Sequence, residues 1–246
     1  MPAALIFVLL LVHCIGAQQK SFDNLAREVA ANITTLTNDT ISADPKIVGG
    51  TLAREGEFPC YVQGRGCGGS LIWTDIILSA GHCNGDIWKD ALIGAYKYRS
   101  QNYGAELILV DRNIVHPNFN HQTMHNDYRI LRVKHLPKLP HQICTLNRRK
   151  YNYPPAGAGV TVIGMGSVGQ NTEHHPNFLA KATLRMVSFP TCQSNFHGTL
   201  FEDTMMCATG GTSRDTCFGD SGGPLIDSHG EIAGITSFGY GCAVGP

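Results

Sequence analysis

Gly219-Asp220-Ser221-Gly222-Gly223 is the stretch on which the reading of this chain turns. Glycines on both sides of a serine let the backbone turn sharply and bring the hydroxyl close to another molecule. Ser221 is therefore a candidate nucleophile, and a serine nucleophile needs a base to take its proton. The string also fits G-x-S-x-G, the strand-to-helix elbow of α/β sheets, in which an acid and then a histidine follow the serine. Only 25 residues follow Ser221 here, and their sole histidine is His229, inside the turn sequence Ser228-His229-Gly230. The base must then lie upstream, in the order His, Asp, Ser.

His82 meets that requirement, in Leu78-Ser79-Ala80-Gly81-His82-Cys83. An apolar strand ends there in small residues that leave room beside the imidazole, and Cys83 can anchor the loop by a disulfide. Asp127 follows Asn126 and opens the apolar run Tyr128-Arg129-Ile130-Leu131-Arg132-Val133. A carboxylate entering a strand between two domains can be buried and can orient an imidazole.

Around these residues the pattern is all-β. Short apolar runs alternate with turn residues, among them Ser70 to Trp73, Asp75 to Leu78, Glu106 to Val110, Gly159 to Ile163 and Ala180 to Val187. Gly223 to Asp227 and Glu231 to Thr236 flank the Ser-His-Gly turn as a hairpin. A Pro- and Lys/Arg-rich stretch from His135 to Pro155 reads as a crossing between two β domains, and Phe189 to Phe196 as the one helical turn. The 28 glycines suit this reading, and 43 % hydrophobic against 15 % charged residues is a folding composition. Nineteen basic and nineteen acidic residues cancel, so no net field draws the protein to nucleic acid or to an anionic membrane.

The N-terminus differs from this body. Met1 to Ala17 carries about a dozen apolar residues before small Gly16 and Ala17, the pattern of a secretory signal peptide and too short to span a bilayer comfortably. Residues 18–46 are polar and hold the two Asn-x-Thr glycosylation acceptors, Asn32 and Asn38. Of nine cysteines, Cys14 leaves with the signal. Eight remain, an even number that in an exported chain implies disulfides, while their connectivity stays open. No Cys-x-x-Cys occurs, and no zinc or other metal site is expected.

Taken together, these strings resemble the trypsin-like (chymotrypsin-fold) serine protease family over residues 47–246, with Ile47-Val48-Gly49-Gly50 similar to the family's mature N-terminus. The resemblance implies two six-stranded antiparallel β-barrels, the first over about 47–140 and the second over about 156–246. The chain stops at Pro246, where the family continues with one more strand and a C-terminal helix, so the second barrel is expected to lack both. It further implies a triad of His82, Asp127 and Ser221, with the N–H groups of Gly219 and Ser221 as an oxyanion hole and Ser237 supporting the aspartate.

Activation would follow cleavage after Lys46, the new α-amine of Ile47 pairing with Asp220. Asp215 would sit at the base of a pocket for Arg or Lys, with Gly239 and Gly241 keeping its mouth open. Disulfides Cys67–Cys83, Cys192–Cys207 and Cys217–Cys242 are implied, which leaves Cys60 with Cys144. Another family disulfide is absent at both ends, at Val160 and Asp227. The expectation is a secreted, monomeric endopeptidase that needs no cofactor, acts on proteins or peptides and is switched on by another protease. The alternative is a non-catalytic secreted homologue that binds a protein partner.

Overall fold

A computed structural model describes residues 47, 49–101, 103–139, 141–147, 154–167 and 177–242. The predicted signal peptide and propeptide, with Asn32, Asn38 and Lys46, lie outside the described residues, as do residues 243–246.

Six strands close into a barrel: β2 (Tyr61–Gln63), β3 (Gly68–Leu71), β4 (Ile76–Ser79), β5 (Asp90–Ile93), β6 (Glu106–Val115) and β7 (Arg129–Val133), in the order β2-β3-β4-β7-β6-β5. All pairings are antiparallel. Strand periodicity sets the two faces. Along β7, Arg129, Leu131 and Val133 are buried while Ile130 is exposed. Val62, Leu71, Ile77, Trp88, Ile93, Ile108, Leu131 and Val133 fill the interior.

The second half is an open sheet. With β1 (Thr51–Leu52), β8 (Gly159–Gly164), β9 (Ala180–Val187), β10 (Cys207–Thr209), β11 (Pro224–Ile226) and β12 (Ile232–Ile235), its order is β1-β9-β8-β11-β12, and β10 also pairs with β9. The expected second barrel thus does not close among the described residues. Its sixth strand is β1, which comes from the stretch assigned to the first barrel and pairs with Ala180 and Lys181 of β9. Along β9, Ala180, Ala182, Leu184 and Met186 face a core with Ile47, Val160, Val162 and Leu225. A third cluster joins the two halves, Tyr61 and Leu92 from the barrel meeting Ile163, Met165 and Leu179.

The predicted hairpin is β11 and β12, and the predicted helical turn is α1 (Phe189–Asn195). Ser188 caps α1, its hydroxyl accepting from Thr191 N at 3.4 Å. Four disulfides are present: Cys60–Cys144, Cys67–Cys83, Cys192–Cys207 and Cys217–Cys242. No helix among the described residues is long and apolar enough to cross a membrane.

Candidate active site

Strand register brings the first two site residues together. Ser79 at the end of β4 pairs with Arg129 at the start of β7. His82 lies three residues past Ser79 and Asp127 two residues before Arg129, so the two loops meet side by side. His82 N–H donates to Asp127 Oδ1 at 2.8 Å, and the His82 ring Nδ1 lies 2.8 Å from Oδ2. Ser237, two residues past β12, donates its hydroxyl to the same Oδ2. Asp127 is 6 % exposed and lies where barrel and sheet meet. Burial alone would raise its carboxyl, but the hydrogen bonds from His82 and Ser237 and the His82 charge hold it below the usual carboxylate range. An ionised carboxylate only accepts, so Nδ1 carries the ring proton and Nε2 of a neutral ring is left as the acceptor.

Ser221 arrives on the loop between β10 and β11. Its carbonyl accepts from Gly68 N at 2.8 Å, and Gly222 N donates to Thr236 O at 2.7 Å, which ties the loop to barrel and sheet alike. Gly222 has φ +79°, and a Cβ there would stand 2.2 Å from Ser79 Oγ and 2.5 Å from Gly68 O. Only glycine satisfies both the left-handed conformation and that close approach. The Cys83 sulfur lies 4.0 Å from His82 Nε2 and 3.7 Å from Ser221 O, so imidazole and serine loop face each other across the Cys67–Cys83 disulfide. No Ser221 Oγ–His82 Nε2 hydrogen bond is formed. Neither Gly219 N–H nor Ser221 N–H donates to any described residue.

Asp220 is almost fully buried, with Oδ1 accepting from Gly166 N at 2.8 Å and Oδ2 from Cys217 N at 2.9 Å. Burial pushes its carboxyl up to about 7 against those two hydrogen bonds, and the charge of Asp215 adds to the rise. Ile47 is fully buried in the sheet core. Gly49, at φ +61°, carries the chain past Ser213 O so closely that a Cβ would lie 1.8 Å away.

Asp215 is half-buried, with Oδ1 accepting from Thr216 N at 2.8 Å. Cys217–Cys242 links its loop to the segment carrying Ser237, Gly239 and Gly241. Gly239 and Gly241 are exposed, and Ser237 is engaged with Asp127. Phe238 and Tyr240, on the same segment, pack around Phe196 with ring centroids 5.7 Å and 4.8 Å from it. His82, Cys67 and Cys83 place three potential metal donors within 4.8 Å, but the two sulfurs are bonded to each other and supply no thiolate.

Two residues at this site escaped the sequence reading. Ser79 is fully buried, its hydroxyl bonded to Gly68 O at 2.8 Å directly behind the serine loop. Arg129 is buried below Gly81. For Arg129 a signal existed: period-2 alternation puts it on the same face as Leu131 and Val133.

Comparison with known proteins gives a consistent picture. The family model described as Trypsin matches residues 47–246. The chain is 31 % identical over 207 residues to Trypsin alpha of Drosophila melanogaster, covering 81 % of this chain and 80 % of the relative. Trypsin of Sus scrofa is 30 % identical over 210 residues, 81 % of this chain and 87 % of that one. Anionic trypsin of Canis lupus familiaris is 30 % identical over 225 residues, 87 % and 86 % of the two chains.

Proposed function

Since this chain belongs to the trypsin family of serine proteases, we propose that it is a secreted serine endopeptidase that cuts after Arg or Lys through His82, Asp127 and Ser221 and is activated by cleavage after Lys46. The observation that carries this reading is the hold on Asp127. A buried carboxylate that accepts from His82 N, His82 Nδ1 and Ser237 Oγ serves to fix one imidazole tautomer with Nε2 turned to the serine side.

In that arrangement Nε2 takes the Ser221 proton as Oγ attacks the scissile carbonyl, and later gives it to the leaving amine. Asp127 stays ionised and stabilises the imidazolium between those steps. The N–H groups of Gly219 and Ser221 receive the oxyanion, one such donor being worth about 3 kcal/mol in the transition state. Asp215 supplies the negative charge that an Arg or Lys side chain of the substrate would seek.

Activation rests on Asp220. A carboxyl raised by burial and with no cationic partner among the described residues is suited to receive an α-amine, and cleavage after Lys46 would create one on buried Ile47. Pairing there would pull on the Cys217–Ser221 loop, because Asp220 adjoins both Gly219 and Ser221 in sequence. The N-terminal hydrophobic segment and the acceptors Asn32 and Asn38 support export and glycosylation of the precursor, which we read as a monomer.

The test is direct. The chain from Gln18, cut after Lys46, is assayed on amide substrates ending in Arg, Lys or Phe, alongside Ser221→Ala. Hydrolysis after Arg and Lys that disappears in the variant is expected. A folded, cleaved protein that hydrolyses none of them would refute the proposal.

A further inference from the structure

Arg129 opens β7 on the inner face of the barrel, in line with Leu131 and Val133, and is 6 % exposed. One guanidinium nitrogen donates to Gly81 O at 2.6 Å, the other terminal nitrogen to Asn113 Oδ1, and Nε has no partner. Both named acceptors are neutral. Burial lowers the pKa of this guanidinium, and the charge of Asp127, on the far side of the Gly81–His82 peptide, partly offsets that. A guanidinium stays charged in proteins, and a buried charge is costly unless another balances it.

The two contacts of the Gly81–His82 peptide tie Arg129 to the site. Its carbonyl accepts from Arg129, and its N–H, which belongs to His82, donates to Asp127. The peptide that carries the imidazole therefore stands between a buried guanidinium on one side and a buried carboxylate on the other.

We propose that Arg129 is a positioning residue for the His82–Asp127 pair, orienting the Gly81–His82 peptide and favouring the form in which the imidazole is neutral and the carboxylate ionised. With the guanidinium one peptide away from the carboxylate, the two buried charges offset each other while His82 is neutral. Protonating His82 leaves one net positive charge. Without Arg129, the lone carboxylate would draw a proton onto the ring. Of the other charged groups, His125, on the same loop as Asp127, has Nε2 3.5 Å from Asp203, and Asp215 acts on Asp220 on the serine loop. Ser237, the remaining contact of Asp127, is neutral. The inference rests on the reading of His82 and Asp127 as the catalytic pair.

The test compares the cleaved wild type with Arg129→Gln, which keeps a donor for Gly81 O but loses the charge, and Arg129→Lys, which keeps the charge. The His82 ring resonances are followed by NMR against pH, together with the acid limb of kcat/KM. Arg129→Gln should move the midpoint of the pair and the acid limb upward together, by roughly 1 pH unit, and Arg129→Lys should leave both near the wild type. A folded Gln variant with an unmoved midpoint overturns the proposal. If that variant does not fold, the Arg129 guanidinium resonances of the wild type are read instead. They should shift with the midpoint of the pair, and resonances that ignore it overturn the proposal equally. The titration needs no turnover, so an inactive protein whose midpoint still depends on Arg129 would refute the protease reading without refuting the coupling.

Discussion

One residue holds both carboxylate oxygens of Asp127: His82 approaches Oδ1 with its backbone N–H and Oδ2 with ring Nδ1, each at 2.8 Å. Two parallel hydrogen bonds from the same residue fix where the imidazole sits and which way it faces. The Ser237 hydroxyl on Oδ2 then ties the pair to the second half of the molecule.

Asp127→Asn follows from this. The amide is close in size to the carboxylate, but its NH2 can donate to the ring and favour the wrong tautomer. With the fold intact by circular dichroism, kcat/KM on an Arg amide should fall by about 10³ to 10⁴-fold. A loss under tenfold would mean that the carboxylate does not set the tautomer.

Asp220 predicts a pH dependence of stability for the uncleaved chain. Its carboxyl, ordinarily at 3.8, is pushed up to about 7 in the folded state by burial first. Between those values the unfolded chain has released the proton and the native chain still holds it. Its contribution to stability is therefore present below the unfolded value and is lost as pH rises to about 7. Asp127 runs the other way, since its folded value is depressed and its contribution is lost on acidification. Urea midpoints of the uncleaved chain and of Asp220→Asn at pH 4, 5.5 and 7.5 separate the two. The wild type should lose stability relative to the variant as pH rises, and a constant difference would contradict the assignment.

Gly222→Ala should damage fold and site together. The new Cβ would sit at φ +79° and meet Ser79 Oγ at 2.2 Å, where Ser79 already bonds to Gly68 O. Strain at such a position costs of order 1–3 kcal/mol before the clash is counted. A lower melting temperature and loss of reaction at Ser221 are expected in the same variant. An alanine variant as stable as the wild type would show that the loop does not pack tightly against Ser79 and Gly68.

Much of this was legible in local sequence. The serine loop declares itself by its glycines, the hairpin of β11 and β12 by Ser228-His229-Gly230, and the loops of His82 and Asp127 by small or polar residues at the ends of apolar strands. The absent cysteine pair is coherent in space as well: Ile226 pairs with Thr161, and Asp227 follows next to the Val160 end of β8. What local sequence concealed was long-range. Two residues, Thr51 and Leu52, carry too little pattern to show that they join β9 about 130 positions away. Arg129 was read as part of an apolar run because its buried partners, Gly81 O and Asn113 Oδ1, are visible only once the barrel is closed. Ser79 looks like any small residue until the backbone of the serine loop is laid against it.

The central claim is that Ser221 is a nucleophile activated by His82 once the chain is cut after Lys46. An organophosphonate that labels activated serines, added to the cleaved protein and followed by intact mass and peptide mapping, tests this without choosing a substrate. One label per chain, on Ser221, absent in His82→Ala and much slower on the uncleaved chain, is the predicted result. A folded, cleaved protein that takes no label, or takes it elsewhere while Ser221 stays free, would contradict the account.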